Sequence, residues 1–240
     1  MARGPGPGGG IRRRPLRLGP LRLEVAMRKL AAFLGLVGLL SLGLAQSAQE
    51  ILDRVEKNLS TPWQATVQGR IQGPGGEEEL LARVYALPQA RLFRVEFLKP
   101  GSLEGNFTVI TEKEVWNYLY LTNQLVISPR EKAKIQGLGF APQGLGDLKA
   151  LSEQVDLRLE GEVRLPEGVA WKLVGRSKEN QGFAAMELYI LKADPRPLRF
   201  VFLDEKGKVL ADLKVVEFKR TNLTEAQLKR YPKDAQVVRR

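Results

Sequence analysis

Apolar and polar residues alternate with a period of two along most of the chain after residue 62. The run 155–165 is the clearest case, since valines and leucines alternate there with charged residues. Such runs are separated by turn signals, for example Gly73-Pro74-Gly75-Gly76 and Pro166-Glu167-Gly168. The pattern predicts about ten short strands connected as an antiparallel meander.

Within each run, the apolar side chains are expected to share one face of the sheet, because successive side chains of a strand alternate. A sheet of this length has to curl or close, since its edges and its apolar face would otherwise stay in water. The chain is therefore predicted to be mainly β, with a curled antiparallel sheet. The residues expected to share a face are, run by run, Phe93, Val95 and Phe97; Val155, Leu157, Leu159, Val163 and Leu165; Val169, Trp171 and Leu173; Met186, Leu188 and Ile190; Leu198, Phe200 and Phe202; and Val209, Ala211, Leu213 and Val215.

Two segments depart from the period of two. Ser47 and Glu50 have the spacing of a helix capping box, and the apolar residues that follow recur at helical spacing as far as Leu59. Residues 130–152 combine short helical patterns with a loop that contains Gly and Pro. The apolar side chains of this segment either cover the mouth or concave face of the sheet as a lid, or belong to a plain connection packed outside it. The lid candidates are Leu138, Phe140, Leu145, Leu148 and Leu151.

The N-terminal part has the features of processing and export rather than of a folded core. Residues 1–26 are rich in Gly, Pro and Arg without periodicity, so we expect a non-native or disordered extension, with Met27 as the alternative start. Residues 27–45 join a basic start to an apolar stretch and end in small residues, which predicts a signal peptide cleaved before Gln46. The alternative, an uncleaved membrane anchor, would need about 20 apolar residues.

The chain contains neither histidine nor cysteine, which excludes disulfides, thiol nucleophiles and the common zinc sites. A bacterial lipoprotein carries its lipid on a cysteine, so residues 46–240 are expected to form a single exported domain that is not lipidated. Residues 1–45 hold most of the net charge of +11, and no surface for nucleic acid is predicted. Motifs of catalysis are absent, and an unrecognised carboxylate pair is the enzymatic alternative left open. We expect no enzyme, no metal site and no cofactor.

The stretch 84–129 carries the most informative motif. It contains Phe93-Arg94-x-Glu96, then Val109-Ile110, then Val115-Trp116-x-Tyr118. Together with the opening helix and the closing residues 224–238, this order of motifs resembles the periplasmic outer-membrane lipoprotein carriers, the LolA-type proteins and their LolB-like relatives. The resemblance spans essentially all of 47–240.

The resemblance implies an incomplete, half-open β-barrel of about eleven antiparallel strands, covered by a helical lid over an apolar cavity. It also implies a monomeric periplasmic carrier that takes acylated lipoproteins from an inner-membrane ABC transporter complex to an outer-membrane acceptor. Two alternatives use the same fold: a sensor of envelope stress, and a carrier of another lipid or of a glycolipid.

The resemblance also suggests which side chains hold the acyl chains. Phe93 matches a ligand-facing aromatic residue of the family, whereas Leu87 stands where the family often has an arginine that bonds to the lid. Lid closure is therefore expected to depend on apolar packing. Each acyl CH₂ removed from water contributes about 0.8 kcal/mol, so the site needs many apolar side chains. The acyl-binding candidates are Phe93, Val95, Phe97, Phe107, Val109, Trp116 and Tyr118.

Overall fold

A computed structural model describes residues 47–73, 75–133, 148–178 and 182–240, all within one compact unit, Gln46–Arg240. The predicted extension 1–26 and the predicted signal peptide 27–45 lie outside the described residues. Among the described helices, none combines the length and apolarity that crossing a bilayer requires.

Twelve described strands form one sheet in the order β12-β6-β5-β4-β3-β2-β1-β11-β10-β9-β8-β7. Neighbouring strands are antiparallel, except that β12 runs parallel to β6. The sheet curls without closing, because β12 and β7 remain at its two edges. This architecture confirms the predicted fold class. The strands are β1 (Trp63–Gly73), β2 (Gly76–Leu87), β3 (Leu92–Lys99), β4 (Phe107–Ile110), β5 (Glu114–Leu119), β6 (Gln124–Pro129), β7 (Val155–Leu165), β8 (Gly168–Ser177), β9 (Ala185–Leu191), β10 (Pro197–Leu203), β11 (Val209–Arg220) and β12 (Gln236–Arg239).

Three short α-helices accompany the sheet in the described part of the chain: α1 (Ala48–Asn58), α2 (Leu148–Gln154) and α3 (Glu225–Leu228). The predicted capping box starts α1, because the backbone N–H of Glu50 donates to Ser47 Oγ at 3.1 Å and the N–H of Ser47 donates to Glu50 Oε2 at 3.2 Å. This reciprocal pair satisfies two backbone donors that the helix leaves free.

The main core lies on the face of the sheet against which α1 and α2 pack, here called the inner face. Helix α1 buries Ile51, Leu52 and Val55 there, and α2 buries Leu151. Inward side chains of β1 to β5 and β7 to β11 complete this core. The helices therefore cover apolar surface that a curled sheet alone would leave exposed.

The outer face carries two smaller clusters. One of them, here called the outer core, lies between β3 to β6 and the C-terminal segment, which we define as residues 221–240. Leu228 of α3 is 2% exposed and anchors this segment on the sheet. The second cluster, on β8 to β10, surrounds Tyr189 and Leu191. The sheet is therefore apolar on both faces over part of its length.

Irregular pairing moves several predicted residues to the other face. A shift between Leu159 and Gly161 sends Val163 and Leu165 to the outer cluster of β8 to β10, away from the inward-facing start of β7. A shift at the start of β10 likewise places Leu198 in the outer cluster, although Phe200 and Phe202 face inward. One extra residue at a bulge reverses the alternation, which corrects the prediction of a continuous face in these two runs.

Candidate functional site

An apolar hollow lies on the inner face, between β1, β2, β3, β10 and β11. Its volume is about 60 Å³, and every described residue that lines it is apolar. At roughly 10–15 Å³ of such space per water molecule, it has room for about four to six water-sized groups. A long acyl chain therefore enters fully only when side chains around the hollow move apart. The lining residues are Leu59, Trp63, Ala65, Val67, Leu80, Ala82, Val84, Val95, Phe97, Leu148, Pro197, Phe200, Leu213, Val215 and Phe218.

The hollow combines small residues with aromatic walls. Ala65 and Ala82, which are 6% and 2% exposed, come from the neighbouring strands β1 and β2. The rings of Trp63 and Phe218 form one wall, with their centres 5.7 Å apart. Protein interiors are close-packed, so two methyl side chains among larger residues leave space that longer side chains would fill.

A wider cavity of about 680 Å³, here called the mouth, opens beside the hollow. Leu59, Trp63 and Leu148 line both cavities, so these three side chains form the boundary between the mouth and the hollow. Apolar side chains line the mouth where it meets the hollow, and charged side chains of both signs line it elsewhere. These charged residues are Asp53, Glu56, Arg91, Glu112, Lys113, Arg130, Glu131 and Glu153.

The charges at the mouth face solvent. Arg91 Nη1 lies 3.3 Å from Glu112 Oε1, and the two side chains are 58% and 63% exposed. On the helical side, Gln49 Nε2 donates to Asp53 Oδ1 at 2.8 Å. Exposed pairs of this kind contribute little to stability. The mouth therefore suits a hydrated polar group, and the hollow suits an apolar chain.

Three of the predicted acyl-binding residues face this region. Phe93 lines the mouth, and Val95 and Phe97 line the hollow. Among the lid candidates, Leu148 lines both cavities, whereas Leu151 is 4% exposed and belongs to the main core on the inner face. The remaining lid candidates, Leu138, Phe140 and Leu145, lie outside the described residues.

The register of β3 and β4 places the other four predicted residues on the outer face. Arg94 pairs with Val109 and Glu96 pairs with Phe107, and directly opposite residues of an antiparallel pair share a face. Arg94 and Glu96 alternate with the inward-facing Phe93, so their partners point outward. The expectation that all seven side chains line one cavity is therefore wrong for four of them. These four, which pack in the outer core, are Phe107, Val109, Trp116 and Tyr118.

Sequence reasoning missed Trp63, Ala65 and Ala82 as lining residues. The signal was present, because both 63–67 and 80–84 have apolar residues at every second position with an alanine in the middle. A count of alternation within one strand gives no register between strands. It therefore does not reveal that Ala65 and Ala82 lie diagonally across the two neighbouring strands, opposite Val84 and Val67.

Leu87, which stands at the position of the family's lid-bonding arginine, does not line the mouth. Its side chain is half-buried and packs against the outer core. An apolar side chain offers no hydrogen-bond donor, so position 87 supplies no polar latch.

Comparison with known structures shows that the chain has a strongly similar relative. The chain is 82% identical to an uncharacterized conserved protein from Thermus thermophilus, over 80% of this chain and 99% of that chain, with a TM-score of 0.65. It also matches a putative outer membrane lipoprotein-sorting protein domain from Vibrio parahaemolyticus, at 17% identity over 76% and 94% of the two chains (TM-score 0.49). A LolA superfamily protein from Nitrosomonas europaea matches at 13% identity over 78% and 99% (TM-score 0.46). No family model and no curated protein matches the chain.

Proposed function

The chain belongs to the same family as the conserved Thermus thermophilus protein, and we propose that it is a periplasmic carrier of acylated lipoproteins. In this proposal the apolar hollow binds acyl chains, and the carrier shuttles its cargo from the inner to the outer membrane. Residues 27–45 direct export, and residues 46–240 act as one carrier domain. An inner-membrane ABC transporter complex loads the carrier and an outer-membrane acceptor receives the cargo, as the resemblance implies.

The observation that carries the proposal is the junction of two unlike cavities. A hollow whose described lining is apolar shares Leu59, Trp63 and Leu148 with a mouth that has charged sides. A molecule with an apolar tail and a polar head fits this arrangement, with its tail in the hollow and its head in the mouth. The described residues of the hollow offer no group that could carry out a reaction, so we assign the site to binding rather than catalysis.

Energetics explain why such a cargo needs a carrier. Moving a sixteen-carbon chain from an apolar site into water costs on the order of 10 kcal/mol of free energy, at about 0.8 kcal/mol per CH₂. An aqueous gap between two membranes therefore presents a large barrier to free diffusion. A hollow that is partly filled by its own side chains binds less tightly than a fully open one, because opening it costs packing. This moderate affinity favours delivery.

Leu148 is positioned to control entry. It belongs to α2, lines both cavities and is only partly buried, whereas Leu151 one turn later is held in the core. We propose that outward movement of the start of α2 widens the hollow for an acyl chain.

Filling the hollow tests the proposal directly. Ala65→Leu and Ala82→Leu each place three more carbon atoms where the cavity offers about 60 Å³. Both variants are expected to lose binding of a fluorescent sixteen-carbon fatty acid by about tenfold or more. Phe107→Leu, on the outer face, is the matched control and is expected to keep the affinity of the wild type. If both Ala65→Leu and Ala82→Leu bound the fatty acid like the wild type, the hollow would not be the binding site.

The nature of the cargo is tested on protein purified from its own periplasm. Native mass spectrometry is expected to detect co-purified triacylated peptides. Phospholipid or glycolipid alone would instead indicate a carrier of another lipid, and a protein free of any acyl compound would contradict the carrier function itself.

A further inference from the structure

We propose that a groove on the outer face binds an extended acidic segment of a partner protein. The groove has a volume of about 820 Å³ and lies between the sheet and the C-terminal segment. Phe107 and Tyr118 line it from the sheet, and Tyr120 lines it from the turn between β5 and β6. Arg230, Tyr231 and Lys233 line it from the C-terminal segment. It faces away from the hollow, so this inference is independent of the acyl-binding proposal.

Exposed apolar side chains lie in this groove and on the elements beside it. Tyr120 and Tyr231 are 60% and 39% exposed, and Leu121, next to Tyr120 at the turn between β5 and β6, is 87% exposed. Val237 on β12 is 45% exposed, so this end of the molecule holds four of the seven exposed large apolar side chains among the described residues. Clusters of this kind mark interaction sites, and tyrosine is enriched among residues that dominate protein–protein binding.

The charge of the groove defines the chemistry of its partner. Arg94 and Glu96 neutralise each other, with Arg94 Nε 2.7 Å from Glu96 Oε1. Arg230 and Lys233 are exposed, and none of the ion pairs formed between described residues engages them. Two cations beside exposed tyrosines complement a segment with carboxylates and an apolar residue.

Hydrogen bonds hold the C-terminal segment in place along the groove. Arg94 Nη1 donates to the backbone oxygens of Leu228 at 3.0 Å and Arg230 at 2.8 Å. At the other end, Asn123 Nδ2 donates to Asp234 Oδ2 at 3.0 Å and ties the β5–β6 turn to the C-terminal segment. Both walls are therefore fixed before binding, which reduces the entropy lost on association.

The position of the groove gives it a role beside cargo binding. Cargo enters at the inner face, whereas a partner in the groove contacts only the outer face. The two can be bound at the same time, so a partner protein can hold the carrier while the mouth remains free.

Binding is measured by fluorescence anisotropy with a labelled octapeptide of alternating glutamate and leucine, and with its lysine–leucine counterpart. The acidic peptide is expected to bind, and its affinity is expected to fall as salt rises. The double variant Arg230→Glu/Lys233→Glu is expected to weaken it by about tenfold or more, which corresponds to about 1.4 kcal/mol. Lys206→Glu/Lys208→Glu, on the exposed β10–β11 turn, carries the same charge change and is expected to bind like the wild type.

Three outcomes would overturn the assignment. These are no binding of the acidic peptide, equal binding of both peptides, and equal weakening by the control double variant. A membrane-surface role would replace it if phosphatidylglycerol vesicles bind the chain, lose that binding on Tyr120→Ser, and the acidic peptide does not bind. Tyr120→Ser is exposed and outside the cores, so it tests the groove without endangering the fold.

Discussion

The guanidinium carbon of Arg94 lies 3.7 Å from the centre of the Phe107 ring, on the outer face of the sheet. The same guanidinium donates to two backbone oxygens of the C-terminal segment. Phe93, one residue earlier, points the other way and lines the mouth. The Phe93-Arg94-x-Glu96 motif therefore serves both faces of β3, since it places an aromatic side chain at the candidate site and fastens the C-terminal segment behind it.

Arg94→Ala is expected to release the C-terminal segment. The substitution removes a cation over an aromatic ring and leaves the carbonyls of Leu228 and Arg230 without this donor. Hydrogen bonds from a charged donor contribute about 1.5–3 kcal/mol, so we expect a loss of that order in the free energy of unfolding. Hydrogen exchange is expected to become faster at the backbone amides of 223–240.

Arg83→Ala is the matched control, because Arg83 is an exposed arginine on the neighbouring strand β2. It should leave exchange in the C-terminal segment unchanged. If Arg94→Ala and Arg83→Ala gave the same exchange pattern, the anchoring role of Arg94 would be disproved.

The sheet, the first helix and its capping box could be predicted from alternation and from Ser47 and Glu50, because each depends on neighbours within a few residues. Which side chains of a strand face inward could not be predicted, since this depends on the pairing between strands. Phe93 and Phe107 are both aromatic residues in apolar runs. Because Phe93 pairs with Ile110, Ile110 faces inward and Phe107, three residues before it, faces outward. The bulge in β7 has the same effect on Val163, which no count within the strand reveals.

The hollow, too, could not be predicted from the alternation of residues within a single strand. Ala65 and Ala82 are ordinary core residues in sequence, and they create space only because β1 and β2 place them near each other. The resemblance supplied the expectation of an apolar cavity. The structure supplied the residues that form it, and it placed four of the seven expected acyl-binding residues on the opposite face of the sheet.

Bromine-labelled palmitic acid is expected to quench Trp63 and not Trp116. Trp63 lines the hollow, whereas Trp116 packs in the outer core with its Nε1 donating to Glu114 Oε2 at 2.8 Å. Fluorescence is measured in two single-tryptophan chains, each made by replacing the other two tryptophans with phenylalanine. Stronger quenching of Trp116 than of Trp63 would place the acyl chain on the outer face and contradict the assignment.

The Arg199–Asp212 pair is expected to make stability fall in acid. Arg199 Nε and Nη2 each donate to Asp212 at 2.7 Å, and these bonds hold the pKa of the carboxyl below its usual value of 3.8 although burial opposes them. A carboxyl with a lowered folded-state pKa binds fewer protons folded than unfolded. Its contribution is therefore complete above pH 3.8 and is lost as the pH falls through the folded-state pKa.

Urea unfolding of Asp212→Asn tests this dependence. The variant should be less stable than the wild type near neutral pH, by about 1–3 kcal/mol, and the difference should shrink below about pH 4. Asp156→Asn, at an exposed carboxylate of β7, is the control and should change little. A difference between Asp212→Asn and the wild type that stays constant down to about pH 2 would show that the pair does not act through its charge.

Gly69→Ala is expected to destabilise the protein at the join between β1 and β11. A Cβ atom at position 69 would lie 1.9 Å from the backbone oxygen of Asp212, so the two strands would have to separate. Overpacking of this kind costs about 1–3 kcal/mol, and because Val67 and Leu213 line the hollow nearby, acyl binding should weaken as well. Chemical denaturation and fatty-acid titration measure the two effects.

Gly161→Ala provides the comparison within the same sheet. No atom lies within 4 Å of a Cβ built at position 161, so the substitution meets open space. It should change the free energy of unfolding by less than about 1 kcal/mol, in either direction. The close approach of β1 to β11 explains the difference between the two glycines. Equal destabilisation by both substitutions would mean that loss of glycine flexibility, rather than contact with Asp212, determines the cost at position 69.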